Sequence, residues 1–183
     1  MLIEREEALR LLSEAADRSV RARGEVLLVA GEAGIGKTSL LRHFVDNLPP
    51  LVGSAWGACD ALFTPRPLGP LMDMAPALGP ECQSLIRGGA EASDLFLGLI
   101  DAVERQNDGI VLVFEDAHWA DNATLDLLKF LCRRIMALRA LVIISFRDDE
   151  VGPDHPLTAL IGDLPSRAVT RVELSGLSPE GVQ

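Results

Sequence analysis

The chain has 183 residues, 48% hydrophobic and 24% charged, with 16 Gly and 11 Pro. That composition suits one domain able to bury most of its unfolded-chain surface, and it excludes disordered, collagen-like and fibrous classes. With 17 basic and 27 acidic side chains the net charge is -10, which argues against a wide grip on a nucleic acid backbone, so any anion must be held locally.

Leu9, Leu12, Ala16 and Val20 recur at helical spacing and predict an amphipathic helix over residues 4–20, ended by Gly24. Val26 to Ala30 is a short apolar run leading into Gly31. Leu41, Phe44, Val45 and Leu48 then share one helical face before Pro49 and Pro50 stop it. This is the order strand, glycine loop, helix. Leu51 to Ala58 reads as a second strand, and Pro65, Pro67, Gly69 and Pro70 impose an irregular stretch before short helices from Leu71 to Arg87. Leu95, Leu99, Ala102 and Val103 mark a helix ending near Asn107 to Gly109. Ile110 to Phe114 is a continuous apolar run suited to a strand covered on both faces. A helix carrying Leu125, Leu128, Cys132 and Ile135 follows, then a buried strand from Leu141 to Ser145 and a weaker fifth strand from Val169 to Leu174.

Alternating β and α segments predict an α/β fold with a mainly parallel five-stranded sheet, right-handed crossovers and a ligand site beyond the carboxyl ends of the strands. Ser178-Pro179-Glu180 has the cap, proline and acid of a helix start. The expected organisation is a leading helix over 1–22, a nucleotide-binding core over 23–176, and over 177–183 the start of a truncated helix belonging to a longer polypeptide. Cys59, Cys82 and Cys132 show neither disulfide nor zinc spacing and read as buried thiols in a reducing compartment. The apolar runs are too short to span a membrane and no basic signal region opens the chain, so a cytoplasmic location without membrane contact is expected.

Gly31-Glu32-Ala33-Gly34-Ile35-Gly36-Lys37-Thr38 satisfies the pattern Gly-x-x-x-x-Gly-Lys-[Ser/Thr], between a buried strand and an amphipathic helix. Its glycines let amide N–H groups turn inward, the helix start adds partial positive charge, and Lys37 reaches the β and γ phosphates. Thr38 is placed to offer its hydroxyl to Mg²⁺, and Ser39 is a packing or secondary polar position counted with the nucleotide-binding segment. At the end of the next buried strand, Glu115-Asp116 supplies paired carboxylates for the metal site, Glu115 assigned to the metal itself and Asp116, counted with the metal residues, to the attacking water. The usual order is Asp then Glu. The reversal shifts each carboxylate by about one methylene and favours binding over fast turnover. Arg147 ends the following strand, where it either faces the terminal phosphate or forms a salt-bridged surface group with Asp148, Asp149 and Glu150.

Glu115-Asp116-Ala117-His118-Trp119-Ala120-Asp121 with Thr124-Leu125-Asp126-Leu127-Leu128, together with Ser145-Phe146-Arg147-Asp148-Asp149-Glu150 and His155-Pro156-Leu157, resembles the ATP-binding domain of large LuxR-type transcriptional regulators. That is a branch of the STAND group of AAA-related P-loop ATPases. Gly57-Ala58-Cys59 and Arg66-Pro67-Leu68-Gly69-Pro70 extend the likeness over nearly the whole chain. The resemblance implies a three-layer P-loop NTPase fold with strand order 5-1-4-3-2, ATP or ADP rather than GTP, and a DNA-reading part outside this chain. Leu2-Ile3-Glu4-Arg5-Glu6 is similar to the family's adenine-side segment, with Glu4 where a glycine is usual. Self-association or contact with downstream domains fits such a regulator, while direct nucleic acid contact by this chain does not.

Other polar residues have plainer readings. His118 and Trp119 couple phosphate state to a neighbouring surface or simply pack, Asp121 caps a helix, His43 and His155 are ordinary polar residues, and Arg133-Arg134 is a solvated face. The leading expectation is a regulatory ATP- and Mg²⁺-binding switch with slow hydrolysis. A P-loop kinase passing the γ-phosphate to a small acceptor and a non-hydrolysing nucleotide-bound scaffold are the alternatives.

Overall fold

Every residue of Ile110–Glu115 and Ala140–Phe146 is buried, the pattern of strands covered on both faces. These are β3 and β4 of the computed structural model, which describes residues 5–21, 23–62, 64 and 66–176. With β1 (Glu25–Ala30), β2 (Gly53–Ala58) and β5 (Val169–Glu173) they form one sheet in the order β2-β3-β4-β1-β5, every pairing parallel. Read from the other edge this is the expected order 5-1-4-3-2. It puts β4 between the strand that leads into the glycine loop and the strand that ends in Glu115.

Side chains alternate across the sheet and divide the core in two. Val26, Leu28, Ile110, Leu112, Phe114, Val142 and Ile144 face α3 (Gly69–Leu78), α5 (Ala92–Glu104), α6 (Asn122–Cys132) and α7 (Pro156–Gly162). Leu27, Val29, Val111, Val113, Leu141 and Ile143 face α1 (Glu6–Arg21) and α2 (Lys37–Asp46). A further helix, α4 (Pro80–Arg87), packs between α3 and α5. Helices on both faces make the three layers. At Gly57 a Cβ would stand 2.2 Å from the Pro70 carbonyl oxygen, so α3 reaches β2 only because that position has no side chain.

Several local expectations change. The second strand starts at Gly53, not Leu51, because Val52 N–H closes a turn onto the Pro49 carbonyl at 2.9 Å and leaves Leu51 75% exposed. Gly69 and Pro70 are not irregular. They open α3, where a proline at the first turn forfeits no hydrogen bond. Gly79, at φ 105°, divides the short helices expected from Leu71 to Arg87 into α3 and α4. The helix α7 was not anticipated; His155 caps it by accepting from the Leu157 N–H at 3.1 Å, and Pro156 opens it. Ile135 falls in a short 3-10 turn, Ile135–Ala137, beyond α6. The helix start at Ser178 to Glu180 lies outside the described residues. None of the described helices is long and apolar enough to cross a membrane.

Candidate functional site

β1, β3 and β4 run parallel, so the residues following Ala30, Phe114 and Phe146 gather at one edge of the sheet. After Ala30 the chain enters the loop 31–36. Gly34 and Gly36 take φ values of 73° and 97°, a region that favours glycine, and Gly36 then starts α2 with no side chain to bond the amides of its first turn. Lys37 is 7% exposed, and its Nζ donates to the carbonyls of Gly31 at 2.7 Å and Glu32 at 2.9 Å. The ammonium thus closes the loop on itself. Burial lowers the Lys37 pKa from its ordinary value, opposed by the negative charge of Asp116.

Glu115 ends β3 on the face toward α2 and is 8% exposed. The Thr38 hydroxyl, in the first turn of α2, donates to its Oε1, and the Trp56 indole Nε1–H donates to its Oε2 at 3.0 Å. Asp116 is half-buried, with φ 52° and ψ 44°, a left-handed conformation uncommon outside glycine. Its backbone N–H donates to the buried Ser145 Oγ of β4 at 3.2 Å. That contact fixes the bend by which the chain turns over the sheet edge. Thr38 and Glu115 are in direct contact, and Lys37 and Asp116 interact electrostatically.

Arg147 leaves β4 within reach of the same region. Its guanidinium pairs with Glu150 and lies 4.7 Å over the Trp119 ring. The pairing raises the pKa of Arg147 and lowers that of Glu150. The salt-bridge reading therefore describes its contacts here. Its charge nevertheless acts on Lys37, which places it near the loop.

His118 and Trp119 lie in a 3-10 turn, Ala117–Trp119, with ring centroids 4.4 Å apart. The His118 side chain is 1% exposed; its Nε2 has no hydrogen-bond partner among the described residues and stands 3.7 Å from a Glu150 oxygen. Its Nδ1 lies 3.4 Å from the Arg147 backbone N–H, and burial lowers its pKa. Asp121 accepts from the Ala123 and Thr124 N–H groups at 2.9 and 3.1 Å, the geometry of a helix cap. His155 is more than an ordinary polar residue, since its Nε2 also lies 3.1 Å from the His118 carbonyl. Arg133 and Arg134 are exposed, Arg134 stacking on Phe130. Burial pushes the thiols of Cys59 and Cys132 up to about 12.

Trp56, Ser145 and Arg5 carry contacts that sequence reasoning did not assign. Arg5 is 7% exposed and donates to the carbonyls of Ile35, in the loop, and Ser175, just after β5, at 3.0 Å each. The role of Trp56 depends on the register of β2 against β3, which spacing along the chain does not reveal.

A glycine loop closed by a lysine, beside an acidic strand end and under a five-stranded parallel sheet, defines the class of P-loop ATPase domains. Residues 1–144 match the AAA ATPase domain family, and the chain belongs to it. No curated protein matches. Among solved structures the fold is similar to the Walker-type ATPase PABY2304 of Pyrococcus abyssi, with TM-score 0.64 and 18% identity over 98% of this chain and 55% of that one. It is also similar to the ORC1 protein of Aeropyrum pernix in complex with DNA (0.70, 17%, 99% and 47%). A third is a STAND protein with a tetratricopeptide repeat sensor from Pyrococcus horikoshii (0.51, 24%, 92% and 23%). At these identities the likeness concerns the fold alone, and the chain spans about half or less of the length of these structures.

Proposed function

We propose that this chain is the ATP- and Mg²⁺-binding switch domain of a LuxR-type transcriptional regulator, with slow hydrolysis. The observation that carries the reading is the contact between Thr38 and Glu115 beside the loop that Lys37 closes. The loop amides of 31–36 and the uncapped first turn of α2 receive the phosphates, with Lys37 moving from carbonyl to phosphate oxygens. Thr38 and Glu115 are the hard oxygen donors that suit Mg²⁺. This ion takes one or two carboxylates and completes its shell with water and phosphate. When bound, the ion supplies charge neutralisation at the phosphates.

Asp116 orients the attacking water, and its short side chain at the second acidic position keeps turnover slow. Arg147 exchanges Glu150 for the terminal phosphate, so ATP and ADP favour different arrangements of Arg147, Glu150 and Trp119. Residues 1–22 form the leading segment and 23–176 the nucleotide core. The DNA-reading part lies in a longer polypeptide of the cytoplasm, and self-association or downstream domains receive the signal. A net charge of -10 keeps this domain itself off the nucleic acid.

Calorimetric titration with ATP and GTP, each with and without Mg²⁺, tests the site; Mg²⁺-dependent binding of ATP over GTP is expected. No nucleotide binding refutes the reading. Phosphate release with water as sole acceptor supports the ATPase, acceptor-dependent turnover indicates a kinase, and stable binding without turnover indicates a scaffold.

A further inference from the structure

Glu115 occupies a position where the shorter aspartate is usual, and its extra methylene adds a rotatable bond between backbone and carboxylate. A flexible carboxylate is a poor partner for an ion that demands near-ideal octahedral geometry. The structure removes that freedom from both sides. Thr38 bonds Oε1, and the indole N–H of Trp56 bonds Oε2 at 3.0 Å.

Strand register explains the second contact. Trp56 pairs with Val113, so it lies diagonally beside Glu115 on the same face of the sheet. The Trp56 ring is in turn covered by the Arg42 guanidinium, 5.1 Å from its centroid. Arg42 and Thr38 stand four residues apart on α2, so one helix face meets the carboxylate through Thr38 and the indole through Arg42. An indole N–H donates only and cannot ligate a metal, so its effect on the site must pass through Glu115. A hydrogen bond to one carboxylate oxygen fixes the plane of the group.

We propose that Trp56 is a positioning residue that holds the Glu115 carboxylate in the orientation required by the Mg²⁺ of a bound nucleotide. The proposal rests on the Mg²⁺–ATP reading above. Its test separates the two. In Trp56→Phe the apolar ring and its contact with Arg42 remain while the donor is lost. Calorimetry at fixed ATP should show the apparent affinity for Mg²⁺ falling about tenfold, the effect of one hydrogen bond to a charged group, while ATP affinity in EDTA stays at the wild-type value. In a Glu115→Ala background the same substitution should change Mg²⁺ dependence by less than about twofold, because the group it acts on is gone. Unchanged Mg²⁺ dependence in Trp56→Phe overturns the proposal. So does equal weakening with and without Mg²⁺, which makes Trp56 a structural residue of β2, and so does a full effect in the Glu115→Ala background. Wild-type protein that binds no nucleotide defeats the functional reading itself, and this inference with it.

Discussion

Truncation of Lys37 tests the site most directly. Lys37 is 7% exposed and its ammonium is bonded to the Gly31 and Glu32 carbonyls, so Lys37→Ala removes two hydrogen bonds and a largely buried charge together. In the folded protein these changes oppose each other. The lost bonds destabilise, while relief of the burial that lowers the lysine pKa stabilises, and the melting temperature should move by only a few degrees. Affinity for ATP has no such offset. Two bonds to charged phosphate oxygens contribute about 1.5–3 kcal/mol each, and surrender of the carbonyl bonds returns roughly half. The net loss of roughly 1.5–3 kcal/mol corresponds to roughly 10- to 150-fold in dissociation constant. Calorimetry of wild type and variant, with circular dichroism melts as a control for folding, reads both quantities. A folded variant whose affinity stays within about threefold of wild type would refute the assignment of Lys37 to the phosphates.

Asp121→Ala removes the α6 cap and should cost about 1 kcal/mol, a drop of about 2–4 °C in melting temperature, with ATP affinity unchanged. A large loss of affinity instead would place Asp121 at the metal. Gly57→Ala drives a methyl toward the Pro70 carbonyl, a backbone atom unable to swing aside, and should cost about 3 kcal/mol in a urea titration. An unaffected midpoint would mean that α3 moves freely against β2. For His118 the folded-state pKa lies below the ordinary 6.5, because burial outweighs the pull of Asp116 and Glu150, with Arg147 and Lys37 acting in the same direction as burial. The unfolded chain therefore binds the proton more readily, and stability falls as pH drops from about 6.5 toward the folded-state pKa. Melts of wild type and His118→Gln across that range should show the steeper acid loss in wild type, and parallel slopes would contradict it.

The sheet was legible because its central strands are buried on both faces: Ile110 to Phe114 and Leu141 to Ser145 lack polar interruptions and need no tertiary information to be recognised. The loop 31–38 was equally plain, since its glycines and lysine serve a local backbone geometry. Harder were short features with little periodicity and contacts that depend on the path of a loop or on partners distant in sequence. The start of β2 depends on a turn at Pro49 to Val52, and α7 is only seven residues long, with little periodicity to detect. Trp56 acquires its partner from strand register, and Arg5 from two carbonyls 30 and 170 positions away. Arg147 stood between two readings because a residue at a strand end can turn to either side. The contact with Glu150 is supplied by a loop only three residues on, whose path no pattern of spacing dictates.

One planar guanidinium, that of Arg5, joins the approach to α1, the bend at Ile35 and the exit from β5 at Ser175. Stress applied to the backbone at Ser175 therefore has a direct mechanical route to Ile35 that bypasses the hydrophobic interior. Motion at either end tugs on the other through a rigid strut a few ångströms long.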